Sequence, residues 1–174
     1  MSNLPTDFSA CESSDFSYLF YVKNGTSIAY LKSSSTTENN KTIYSTNNVT
    51  VGSNLVTTAS PRISAVAYSA RNGDKEIRLY YVEKLPNVET YQLKELCRTD
   101  KRVGGEFRQG DWFPGSLNDN NVYCKKDSLI SANVEEGKGD LKVFFVDING
   151  SPGIAWVMME TETWTWKTVK NVAW

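Results

Sequence analysis

The sequence contains no histidine. That absence removes Ser-His-Asp and Cys-His nucleophile systems and the commonest metal ligand. Cysteine is scarce: Cys11, Cys97 and Cys124 are odd in number and match no metal spacing, so they read as free thiols in a reducing compartment. Neither a metal nor a cofactor is expected, and no phosphate loop or dinucleotide fingerprint is present. No run approaches the ~20 apolar residues of a membrane span. The start, Met1 to Phe8, lacks a basic segment followed by an apolar one, so no classical signal peptide is expected and the chain is assigned to the cytoplasm. On that assignment the sequons at Asn24, Asn40, Asn48 and Asn149 are chance matches in polar turns.

Charge of either sign is also lacking. The formal net charge is −1, so no bulk field draws the chain to nucleic acid or an anionic membrane, and neither is expected as a partner. The basic cluster Arg98, Lys101 and Arg102 is broken by Asp100 and Gly104 and reads as a solvated loop. The carboxylate pairs Glu135/Glu136 and Glu160/Glu162 sit near turns and read as solvated surface. No amphipathic helix of ~10 residues or more is evident, and Tyr91 to Leu96 reads as the end of a strand.

What is present is an ordinary globular composition, 40% hydrophobic and 22% charged, in 174 residues, enough for one domain with a core. Aromatics reach 12%, which suits pleated faces that need flat, bulky side chains.

The chain repeats itself. Three hexapeptides align without gaps: Ser17 to Val22, Ile77 to Val82, and Leu141 to Val146. Each is dense in β-branched and aromatic residues, as a strand buried on both faces should be. Each leads to a turn signal, at Lys23-Asn24-Gly25, Leu85-Pro86-Asn87 and Asn149-Gly150-Ser151. A following strand opens at Ile28-Ala29-Tyr30, Val88-Glu89-Thr90 and Ile154-Ala155-Trp156. A small-residue strand precedes each hexapeptide, with Ser-Ala recurring at Ser9-Ala10, Ser64-Ala65 and Ser131-Ala132. Further segments, Val49 to Ser53 and Trp112 to Ser116, lead the second and third modules, and Trp166 to Val169 is a weaker copy.

Four strands recurring every ~60 residues mark the blades of a β-propeller. The expected fold class is therefore all-β: a propeller of four-stranded blades, three per chain, at roughly 1–47, 48–111 and 112–174. A plain antiparallel sandwich is the competing architecture. Three blades cannot close a ring, and the first module is short of a leading strand. Open edges and an apolar blade face favour association. A homodimer closing a six-bladed ring is expected, with Lys167 to Trp174 adding the missing strand to the partner's first blade. A compact three-module monomer is the alternative.

The pattern Ser-Ala, then Ile77-Arg78-Leu79-Tyr80-Tyr81, then a hydrophobic–x–acid strand, then Trp112 to Gly115 resembles the fungal fucose-specific lectins. The resemblance covers nearly the whole chain and is strongest over residues 61 to 117. It implies a six-bladed propeller that holds fucose between blades, with an Arg and a Glu on the sugar hydroxyls and aromatic rings on its apolar face. Those residue types suit a sugar, whose close-set hydroxyls fit a charged fork and whose C–H face fits a ring.

Transferred by position, the Arg column holds Tyr18, Arg78 and Lys142. The Glu column holds Tyr30, Thr90 and Trp156, and the Trp column holds Val49, Trp112 and Trp166. Glu89 adjoins its column but lies on the opposite face of a regular strand, and a bulge after Pro86 would be needed to restore it. One pocket per chain, formed by Arg78, Trp112 and Glu89 with Tyr80 nearby, keeps the lectin pattern. The bland alternatives are that Arg78 pairs with Glu76 or Glu83 and that Trp112 is blade core.

Three functions follow, in this order. The first is a lectin-like module binding a fucose-like carbohydrate or another small ligand. The second is a pericyclase resembling the hetero-Diels–Alderases among lectin-like propellers of fungal natural-product pathways, in which Tyr18, Tyr30 and Trp156 shape an aromatic pocket without a nucleophile. The third is a protein-interaction scaffold using the loops Ser33 to Asn48 and Cys97 to Asp111.

Overall fold

The computed structural model describes residues 5–135, 140–158, 161 and 163–170. The first sheet runs β1 (Phe8–Ser13), β2 (Phe16–Lys23), β3 (Ser27–Ser33) and β4 (Tyr44–Asn48), each antiparallel to its neighbour. A small hairpin, β5 (Thr50–Val51) and β6 (Asn54–Leu55), leads on. The second sheet orders β7 (Ser64–Ser69), β8 (Lys75–Lys84) and β9 (Tyr91–Val103). The far edge of β9 carries three short strands, β10 (Glu106–Arg108), β11 (Trp112–Pro114) and β12 (Tyr123–Cys124). The third sheet runs β13 (Ile130–Glu135), β14 (Asp140–Val146), β15 (Pro152–Met158) and β16 (Thr165–Thr168). The all-β class and the four-stranded antiparallel unit stand as expected. Among the described residues, no helix is long and apolar enough to cross a membrane.

The turn chemistry is legible. Asn24 and Gly25 both adopt positive φ between β2 and β3, a conformation Asn tolerates and Gly takes without strain. Several expectations are corrected. The segments at Trp112 and Trp166 do not lead a following module. They hydrogen-bond to β9 and β15 as outer strands of the sheet they follow. The first sheet is likewise complete, because β4 supplies its outer strand. Lys167 and Thr168 pair with Ile154 and Gly153 of their own sheet, which removes the reason for strand exchange, and residues 171–174 lie outside the described residues. The two expected loops also contain strands: β4 lies in the first, and β9 with β10 occupies most of the second.

The registers place the three sheets on one grid. Ser9, Ser64 and Ser131 face Phe20, Tyr80 and Phe144, and Tyr18, Arg78 and Lys142 occupy the next equivalent position of the central strand. Across to the third strand, Phe20 pairs with Tyr30, Tyr80 with Glu95 and Phe144 with Ile154. The acidic column is thus Tyr30, Glu95, Ile154. The expected Thr90 precedes β9, and Trp156 lies opposite Lys142.

Side-chain alternation sends each central strand toward two neighbours. From β8, Ile77, Leu79 and Tyr81 pack with Phe20, Val22 and Tyr30 of the first sheet. Tyr80 and Val82 pack the other way, with Val143, Phe145 and Trp164 of the third. Innermost strands are clamped by the repeated serine: Ser9 Oγ accepts from Ala65 N at 2.7 Å, and Ser64 Oγ accepts from Ala132 N at 2.9 Å. A tryptophan closes each joint edge-on. Trp112 meets Phe20 with ring centroids 5.8 Å apart, and Trp164 meets Tyr80 at 6.1 Å.

Phe20 is fully buried at the centre of the first joint. Phe20→Ala should therefore cost about 3–5 kcal/mol, read from urea unfolding followed by Trp fluorescence.

Candidate ligand-binding site

The two joints use equivalent positions for opposite ends. On the second sheet, Arg78 projects from β8 with its side chain 15% exposed at the mouth of a cleft formed by that sheet and the segment after β11. The cleft measures about 350 Å³, and Glu76, Thr99, Phe113, Asn118 and Asp119 contribute to its walls. Arg78 Nε donates to Tyr68 Oη at 3.1 Å, and Nη1 donates to Cys97 Sγ. Its guanidinium also lies 3.6 Å from Glu95 on one side and 3.6 Å from Glu76 on the other. These contacts hold a planar five-donor fork in one orientation while leaving an edge at the cleft.

Glu95 lies beneath Arg78, fully buried. It accepts from Tyr80 Oη at 3.0 Å and from Leu117 N at 3.2 Å. Burial, offset in part by Arg78, raises its carboxyl above the usual carboxylate range. Gly115 makes room for it, since a Cβ there would lie 2.1 Å from Glu95 Oε2. Glu95 thus positions Arg78 from below. It was missed because the third strand was expected from Val88, although Leu93-Lys94-Glu95 repeats the hydrophobic–x–acid pattern.

At the joint between the first and second sheets, Tyr18, Tyr30 and Trp112 do come together. Their rings enclose a side chain rather than open space. The Arg98 guanidinium carbon lies 4.7 Å from the Tyr18 ring centroid, 5.2 Å from Trp112 and 5.9 Å from Tyr30. Arg98 is fully buried, against the expectation of a solvated loop, because Asp100 neutralises it through bonds of 3.0 and 3.1 Å. Ser14 Oγ and Gly110 N complete the shell of Asp100. Burial pushes the Tyr18 hydroxyl up to about 12, despite the lowering effect of Arg98.

The remaining expected site residues lie elsewhere. Lys142 and Trp156 are cross-strand partners on the third sheet, with Lys142 held 3.3 Å from Asp140. Glu89 sits in the exposed β8–β9 connection, bonded to Lys84 and Tyr91, and its side chain is 72% exposed. Trp166 lies on the outer strand against Phe145. All three cysteines are free, and among the described residues no three His, Cys, Asp or Glu side chains form a metal-sized cluster. Glu136, Glu160 and Glu162 fall outside the described residues.

Removing Arg98 alone strands the Asp100 carboxylate in the joint. Arg98→Ala should cost about 3–5 kcal/mol, and Arg98→Met with Asp100→Asn clearly less, by denaturant titration. A second outcome concerns pH. Because Glu95 keeps its proton to higher pH when folded, its contribution is full below the ordinary 4.5 and is lost as pH rises through the raised value. As pH rises above the ordinary 4.5 the wild type should therefore lose melting temperature relative to Glu95→Gln.

No family model matches the chain, and no curated protein matches it. Solved structures do. A triple arginine-to-alanine mutant of AofleA from Arthrobotrys oligospora superposes with a TM-score of 0.61 at 18% identity, over 97% of this chain and 42% of that one. The chain thus spans less than half of that protein's length. A fucose lectin from Kordia zhangzhouensis, in complex with methyl-fucoside, superposes with a TM-score of 0.53 at 12% identity, over 96% of this chain and all of that one. Four-stranded antiparallel sheets, repeated on one register, thus carry in this chain the fold of the fucose lectins.

Proposed function

We propose that this chain is a lectin-like carbohydrate-binding module that takes a fucose-like sugar in the Arg78 cleft of its second sheet, and that two copies complete a six-bladed propeller. The observation that carries the binding reading is Arg78, oriented by Glu95, Tyr68 and Cys97 yet open at the cleft. A guanidinium fork matches vicinal hydroxyls, and the half-exposed Phe113 ring offers an apolar surface at the same cleft. Asp119 adds a polar partner at the rim. The fold likeness to a lectin solved with methyl-fucoside supports the ligand class. The aromatic pocket of a pericyclase finds no support at the first joint, where Arg98 lies among the rings.

The test is a titration of the chain with fucose, methyl-fucoside and a panel of other sugars, followed by calorimetry. Binding should weaken about 10- to 100-fold in Arg78→Ala, from loss of charge-assisted hydrogen bonds. Arg78→Lys should recover little of it, because an ammonium lacks the fork. Silence toward every sugar, or unchanged affinity in Arg78→Ala, would overturn the assignment.

A further inference from the structure

The two internal joints repeat the same contacts, and the outer faces of the first and third sheets carry the two halves of that contact set. The forward side of each joint is built from the Phe20, Tyr80 and Phe144 column. Phe20 and Tyr80 are 0% exposed under a neighbouring sheet, whereas Phe144 is 41% exposed. Val146 and Ile154 beside it are half-buried, while their counterparts Val22, Val82 and Tyr30 are buried. The rear side behaves in the same way. Leu79, Tyr81 and Leu96 are buried against the first sheet, but their counterparts Leu19, Tyr21 and Leu31 are only half-buried.

The tryptophan slot makes the pattern specific. Trp112 lies opposite Arg98 on the outer strand, and by continuation of the β15–β16 register Trp164 lies opposite Val157. The equivalent residue of the first sheet is Tyr44, opposite Ser33. Trp112 and Trp164 are 6% and 5% exposed against the preceding sheet, whereas Tyr44 is 41% exposed. The serine clamp ends in the same way. Ser131 is the exposed counterpart of Ser9 and Ser64, and Ala10 is the exposed counterpart of Ala65 and Ala132.

We infer that a second copy of this chain docks head to tail, so that Phe144 receives the partner's Tyr44 edge-on and Ser131 accepts from the partner's Ala10 backbone N–H. Two such seams, related by a twofold axis, continue the internal joint without a new type of contact. The inference deepens the two-chain reading above and rests on it for the partner's identity. Each seam also brings Lys142, in the position of Arg78, to the edge of a joint.

The test is light scattering on the wild type, Phe144→Glu, Tyr44→Lys and an equimolar mixture of the two variants. Circular dichroism verifies folding, which these exposed positions should not disturb. The wild type should run at about 39 kDa, twice the 19.5 kDa chain. Each variant alone should run as a monomer, because it damages both seams. The mixture should regain the dimer, since one seam is then native and the other pairs Glu with Lys. A monomeric wild type would overturn the seam together with the two-chain reading. A dimer that survives either variant, or is not regained on mixing, would overturn the seam alone. Sugar affinity, measured in the same variants, should stay unchanged, because the Arg78 cleft lies within one chain.

Discussion

The central strand of the second sheet is buried on both faces, and the rest of the molecule depends on that constraint. A strand with one solvated face needs only alternate apolar residues. Here β8 must satisfy two different neighbours, so Ile77, Leu79 and Tyr81 serve the first sheet while Tyr80 and Val82 serve the third. A one-residue slip would exchange the two sets and break both joints together. Register is therefore tightly specified, and the same grid reappears in β2 and β14.

Polar chemistry enters only where this alternation admits it. Arg78 takes the forward position at the edge of the second joint, and Glu95 stands opposite Tyr80 to hold it. The corresponding place in the first joint belongs to Tyr18, with Tyr30 where the second sheet has Glu95. No carboxylate is available there to anchor an arginine of the first sheet. An arginine arrives instead from the rear face of β9, and its charge is met by Asp100 and three aromatic rings. The first joint is thus filled by the protein itself, whereas Arg78 of the second sheet keeps an edge at an open cleft.

Likeness in fold at 18% and 12% identity has a physical basis. Joint packing asks for bulk and alternation rather than particular residues, so Phe20, Tyr80 and Phe144 serve one column with different side chains. What varies freely is the polar set at the joint edge, where Arg78, Tyr18 and Lys142 share one position.

The sequence by itself determined the all-β class, the three central strands, the recurring Ser-Ala strand and the column holding Tyr18, Arg78 and Lys142. These features are local: they follow from side-chain period, turn residues and spacing, all of which run along the chain. Glu95 was also within reach, but the connection from Leu85 to Thr90 delays the third strand of the second sheet, and counting from Pro86 lands on Glu89. Only the tertiary structure decided that the strands at Trp112 and Thr165 close the sheet they follow, because a strand's edge is chosen by backbone hydrogen bonds across space. It alone set Arg98 inside a joint rather than in solvent. The ion pair and the three rings that make such burial tolerable come from two sheets, and no single stretch of sequence contains them.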